Sequence, residues 1–203
     1  MNKRKTKYID YVKFDWIELL GVPLNIRLVE NSVERRNDEE VCIFRFQRLA
    51  PKEFDAPYVS FVVNDSTGEL LSFTNRMLGV PQKNISEKDA FSKASNIIKS
   101  INPEYYTGLS FLRIENPKRL FINMDGELEE YPIFSIKFSH LDGSYNWVSL
   151  SMNGQVIEYE IKAFWDFDRK RRKTEMWDHD GWVKARYGIG RELNPPCALA
   201  RDY

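Results

Sequence analysis

Two hydrophobic periods follow one another along the chain. From about Thr6 to Leu20, the residues Ile9, Val12, Trp16 and Leu19/Leu20 recur at spacings of three and four. That spacing predicts an amphipathic helix, ended by Gly21 and Pro23. Leu24, Ile26 and Leu28 then alternate with Asn25 and Arg27, the period of a half-buried strand. Asn37-Asp38 falls in a charged turn. Val41 to Leu49 reads as the next strand, with Cys42, Phe44 and Phe46 on one face. After a loop from Pro51 to Pro57, Tyr58 to Val63 and Glu69 to Phe73 form a hairpin around Asn64-Asp65-Ser66-Thr67-Gly68. The order is one helix and then four strands.

A connector from Asn75 to Ile85, with Gly79, Pro81 and Asn84, precedes a restart of the same order. Ser86 suits a helix N-cap, with Asp89 three residues on, and Ala90, Phe91, Ala94, Ile97, Ile98 and Ile101 form an apolar stripe that Asn102-Pro103 ends. Strands are expected at Leu109–Ile114, Leu120–Met124, Tyr131–Phe138, Asn146–Met152 and Val156–Ile161, with turn signals at Asp125-Gly126 and Asp142-Gly143. The two stretches can be registered. Val59-Ser60-Phe61 matches Val148-Ser149-Leu150 at an offset of 89 (148 − 59), as does Asn64 with Asn153. Gly68 and Gly154 differ by 86, because the second turn is three residues shorter. Such a period is too long for a solenoid repeat. It points to an α+β fold of two tandem units, residues 1–78 and 79–165. Each would pack a helix on an antiparallel sheet, and residues 166–203 would form a C-terminal extension packed on both.

The capped helix SEKDAFSKASNII and the hairpin VSFVVNDSTGELLSF resemble the PepSY-type domain, in its tandem form the YcdB/YcdC-like repeat of Gram-positive bacteria. The resemblance spans roughly residues 8–162. It implies a cystatin-like wrap of helix and sheet without catalytic residues, in a family for which protease inhibition or regulation has been proposed. Unlike the family's exported members, the sequence as read is expected to carry no signal peptide, and the segment after Lys162 has no counterpart in the resemblance.

Composition narrows the function classes. Thirty Lys and Arg balance thirty Asp and Glu, so no whole-molecule field draws in nucleic acid or an acidic membrane. A hydrophobic fraction of 42% suits a packed core rather than disorder. The basic start MNKRKTKYIDYVKF has no apolar stretch behind it, and no window approaches the roughly 18 apolar residues of a membrane span. The expected location is the cytoplasm, or the cell envelope if a leader has been removed. Cys42 and Cys197 are expected as free thiols.

The candidate chemistry lies in the final segment. Arg169 to Lys173 are five consecutive basic residues near Trp165, Phe167, Trp177 and Trp182, a mixture able to neutralise phosphates and stack on bases. Asp178-His179-Asp180 offers three potential ligands, but matches no zinc or calcium spacing and reads as an exposed turn before Gly181. Neither His140 nor either cysteine stands in a nucleophile-and-base arrangement. Glu127, Glu129 and Glu130 read as solvated acids, and Gly188-Ile189-Gly190 lacks the context of a phosphate loop. The expectation is a non-catalytic module with no cofactor and no metal. It would bind a protein or peptide through Trp165, Trp177 and Trp182, in a role that regulates or inhibits a protease. The alternative is an intracellular nucleic-acid-associated protein using Arg169, Arg171 and Arg172.

Overall fold

Alternation within the strands sorts the side chains onto two unlike faces of one sheet. The computed structural model describes residues 12–77, 84–122 and 127–199. In chain order it contains α1 (Phe14–Leu19), β1 (Arg27–Arg36), β2 (Glu39–Gln47), β3 (Tyr58–Asn64), β4 (Leu70–Asn75), α2 (Glu87–Ile101) and α3 (Pro103–Tyr106). There follow β5 (Leu109–Glu115), β6 (Lys118–Ile122), β7 (Leu128–His140), β8 (Tyr145–Ser151), β9 (Val156–Ala163), β10 (Trp165–Asp166), β11 (Arg171–Arg172) and α4 (Asp180–Arg186). The main sheet has the order β1-β2-β3-β4-β9-β8-β7-β5, with β6 also on β7, while β10 and β11 form a separate ribbon. The protein is therefore α+β, with one large antiparallel sheet and few helices.

The two helix-and-strand stretches meet where β4 pairs with β9. Ser72 faces Glu160, Phe73 faces Tyr159 and Thr74 faces Glu158. Past the hairpin turn the sequence offset is 86, and Tyr159 lies 159 − 73 = 86 residues after Phe73. Phe73 thus sits opposite its own counterpart, and since Phe61 pairs with Phe73 and Val148 with Tyr159, the offset before the turn is 87 (148 − 61), which corrects the 89 read from sequence. Ser72 and Thr74 each sit opposite the other's counterpart, a two-fold relation in the register itself.

One row of the sheet runs Phe44, Phe61, Phe73, Tyr159, Val148, Ile136 and Ile114 from strand to strand. The stripe of α2, including Ala90, Ala94, Ile97 and Ile98, joins this row in the main core, as do Trp16 and Leu20 at α1. Ser86 caps α2 by accepting the Asp89 amide at 3.1 Å, which supplies one of the helix's orphan donors with a partner. The hairpin turns are built on local chemistry. Asn64 Oδ1 accepts from the Ser66 and Thr67 amides, and Gly68 and Gly154 both take the left-handed conformation.

The largest departure from expectation is β1. The alternation predicts a strand over Leu24–Leu28, whereas the strand begins at Arg27 and continues through a charged stretch to Arg36. β1 pairs only with β2 and stands at the end of the sheet order, so it needs no continuous apolar face. Its register follows from Asn37 and Asp38, both at positive φ, which make a two-residue hairpin turn between Arg36 and Glu39. The first part of the Thr6–Leu20 helix, the Gly79-to-Pro81 connector, Met124 and the Asp125-Gly126 turn lie outside the described residues. Among the described residues, no helix is long and apolar enough to cross a membrane.

Phe73 is fully buried at the centre of the β4–β9 pairing. Phe73→Ala is expected to cost about 3–5 kcal/mol. In urea unfolding, far-UV circular dichroism and tryptophan fluorescence should move together to lower urea. Separate transitions for the two probes would show that the stretches on either side of β4–β9 unfold independently.

Candidate functional site

The sheet face opposite Phe73 is polar and nevertheless buried. Arg45, Ser60, Thr74, Glu158, Ser149 and Ser135 form one row across it, and Val62, Ser72, Glu160, Trp147 and Lys137 the next. Glu158 and Glu160 are only 7% and 5% exposed. The segment from Phe164 to Leu199 covers them as a roof. Asp178, His179 and Asp180, at the start of α4, reach three different strands. Thr74 Oγ1 donates to Asp178 Oδ2 at 2.7 Å, and Arg76 Nη2 donates to His179 Nε2 at 2.8 Å. Arg45 binds the Asp180 carboxylate through both oxygens, with Nη2 to Oδ2 at 2.9 Å. Tyr58 adds a bond from its hydroxyl to the Asp178 carbonyl at 2.9 Å. The expected exposed turn is therefore corrected. Both aspartates are buried, and the three side chains diverge to satisfy strand donors. Among the described residues no group of three or more His, Cys, Asp or Glu is arranged to hold a metal ion.

Beneath the roof the carboxylates are held by cations from several elements. Glu158 Oε1 accepts from Arg76 Nη2 and Arg119 Nε, each at 3.1 Å, and Oε2 accepts from Ser149 Oγ at 2.9 Å. Burial alone would raise this carboxyl. Arg76 and Arg119 overcome burial and hold it well below the usual carboxylate range. Glu160 Oε1 accepts from Arg36 Nη2 at 3.1 Å and also binds Arg172. The Arg172 guanidinium lies 5.6 Å from the Trp147 ring centre and 5.3 Å from that of Trp165, a cation–π arrangement on two indoles. Burial and the Arg76 charge push His179 down to about 4. The imidazole is neutral at pH 7. Because a guanidinium can only donate, Nε2 is the acceptor and Nδ1 carries the proton.

The roof leaves a cavity of about 430 Å³ above the polar face. That is within the range of roughly 300–1,000 Å³ common for small-ligand sites. Its floor and walls include Lys137, Trp147, Glu158, Glu160, Arg119 and Trp165, and its roof includes Leu193, Asn194 and Cys197. Lys137 is half-buried, with Nζ 4.4 Å from the Trp147 ring centre. It makes no hydrogen bond or ion pair with any described residue. Burial pushes its ammonium below the ordinary lysine value.

Of the side chains singled out from sequence, Trp165 and Arg172 line this cavity. Trp177 and Trp182 lie elsewhere, in contact with each other at 4.6 Å, in a small cluster with Met176 and Val183 where Trp182 is fully buried. The basic run is divided. Arg172 turns inward, Arg169 is exposed and 3.8 Å from Asp166, and Arg171 pairs across the ribbon with Asp166. Cys42 and Cys197 form no disulfide, and the Cys42 thiol donates to Asp65 Oδ1 at 3.1 Å. Sequence reasoning missed Arg76, Arg119, Lys137, Glu158 and Glu160. The available signal was the run Val156-Ile157-Glu158-Tyr159-Glu160-Ile161, two acids spaced two apart inside strong strand formers. No protein-family model matches the chain, and no curated protein matches it significantly.

Two outcomes test this network. Glu158→Gln leaves Arg76 and Arg119 without their carboxylate and is expected to cost about 3–5 kcal/mol in urea unfolding. A loss below about 1 kcal/mol, the scale of an exposed pair, would contradict the burial. His179 has a folded value near 4 against 6.5 unfolded, so the unfolded chain binds the extra proton between them. Stability should fall as pH drops from 6.5 to about 4 and level off below, as far as this group is concerned. His179→Gln should show a shallower decline over that window. An unchanged slope would remove His179 as its cause.

Proposed function

We propose that the protein is a non-catalytic binding module that takes a segment of a protein or peptide partner into the roofed cavity. In this reading residues 1–78 and 79–165 are tandem cystatin/PepSY-like units and residues 166–203 the extension that roofs them. The 86-residue relation across β4–β9 supports the duplication. The family resemblance supports a role in regulating or inhibiting a protease.

The observation that carries the reading is the chemistry of the cavity walls. Indole rings and the Lys137 ammonium are offered for contact, while the Glu158 carboxylate and the His179 imidazole are committed to arginines. Glu158 is ionised between two arginines, and His179 is neutral with Nε2 taken by Arg76. Neither can exchange a proton readily near pH 7, as a general acid or base must. Nucleic-acid binding through Arg169–Lys173 has less support, because the Arg172 guanidinium is engaged by Glu160 and the Thr174 carbonyl.

Selection of displayed random peptides on the immobilised protein tests the proposal. Enriched peptides should share a short motif and bind Trp165→Ala at least about tenfold more weakly, as expected for an aromatic anchor. Enriched peptides that bind the variant as tightly as the parent protein would remove the cavity as the binding surface.

A further inference from the structure

We propose that the cavity anchors its ligand by a carboxylate, seated against Lys137 and Arg119 with the attached apolar or aromatic body on the Trp147 and Trp165 indoles. This rests on the binding-module reading and names the chemistry of the anchoring group. Three independent observations converge on it.

The first is Lys137 itself. Among the described residues it forms no ion pair, and its Nζ lies over the Trp147 ring at the cavity wall, with Glu115, Glu158 and Glu160 favouring its charge from farther away. The carboxylate that most favours its charge is Glu115, which is held by Arg113 at 2.6 Å. An ammonium withdrawn from water without a counter-ion is unfavourable, and an anion entering the cavity would relieve that cost.

The second is the charge of the surrounding network. Across the polar face Arg36, Arg45, Arg76, Arg119, Lys137 and Arg172 stand against Glu158, Glu160, Asp178 and Asp180, six cations to four carboxylates with His179 neutral, while on the cavity lining itself Arg119, Lys137 and Arg172 balance Glu158, Glu160 and Asp178. Among the described residues the Asp178 carboxylate accepts from the Thr74 hydroxyl alone, and it is already included in that balance. On the arginines that hold Glu160 and Glu158, Arg36 Nε and Nη1 and Arg76 Nη1 are buried donors with no hydrogen-bond partner among the described residues. The excess favours an anion, and the indole wall beside it, rather than the charge count, favours a carboxylate on an apolar body over a phosphate.

The third is shape. Trp147 and Trp165 have ring centres 6.1 Å apart and planes inclined at 51°, forming an angled apolar wall beside the cations. A carboxylate on a flat or apolar body satisfies both parts. An acidic side chain or free C-terminus of a peptide has this chemistry, and so does a small free acid.

Phenylacetate and phenylacetamide provide the test, since they share a body and differ in charge. Binding is followed by the indole N–H signals of Trp147 and Trp165 in NMR and by calorimetry. Phenylacetate should bind at least about tenfold more tightly than the amide, the scale of a charge-assisted hydrogen bond. Lys137→Met, which keeps the stem, should abolish the preference, and Lys137→Arg should retain it. Equal binding of acid and amide, a preference unaffected by Lys137→Met, or no binding of phenylacetate at millimolar concentration would each overturn the carboxylate anchor. The sources separate in a second arm. A Trp165-dependent peptide that loses affinity when its carboxyl groups are amidated supports a peptide carboxylate. One that binds equally after amidation overturns the anchor and leaves the binding module standing. Lys137-dependent phenylacetate binding with no peptide enriched supports a free acid and overturns the peptide reading.

Discussion

Glu158 and Glu160 lie two residues apart on β9, pointing to the same side, and both are buried. Carboxylates cannot lose water at low cost unless cations and donors replace it. The replacements come from separate parts of the chain. Arg36 and Arg76 come from the first helix-and-strand stretch, Arg119 from β6, and Arg172 from the roof. The β4–β9 pairing places the glutamates beside Ser72 and Thr74, and the roof closes over them through Asp178, His179 and Asp180. One requirement therefore links the joining of the sheet to the docking of the last segment.

The cavity is a consequence of the same requirement. A roof that must meet strand cations at set positions cannot also fill every gap with apolar side chains. Its apolar contribution is concentrated in the cluster of Met176, Trp182 and Val183, away from the glutamates. What remains above β8 and β9 is a space bordered by indoles, paired guanidinium groups and the solitary Lys137 ammonium. Its chemistry is set by the residues that the folding network leaves unengaged.

The local parts of this arrangement were legible in the sequence. Asn64 to Gly68, Ser86 and Asn102 build their turn and caps through neighbours two to four residues away, so those roles can be read from spacing, whereas the Asn37 side chain binds Lys162 and Thr174 far along the chain. The inner face was legible too, because Phe44, Phe61 and Phe73 sit in alternating runs. The polar face was not. Alternation shows that Glu158 and Ser149 point away from Tyr159 and Val148, but not whether water or protein lies beyond them. The cationic partners of Glu158 are 82 and 39 residues distant in sequence, and the side-chain partners of Asp178 and Asp180 more than a hundred. β1 escaped notice for a related reason. An edge strand is held by one neighbour and one turn, and its charged residues carry little periodic signal.

The most direct measurement is the pH titration of the Glu158 side-chain carboxyl carbon by NMR in the folded protein. Enclosed by Arg76 and Arg119, it should remain ionised through the ordinary carboxylate range, with no step near about pH 4.3 while the protein stays folded. A titration step at that ordinary value would show that the carboxylate is solvated, and would contradict the buried network on which the roof and the cavity depend.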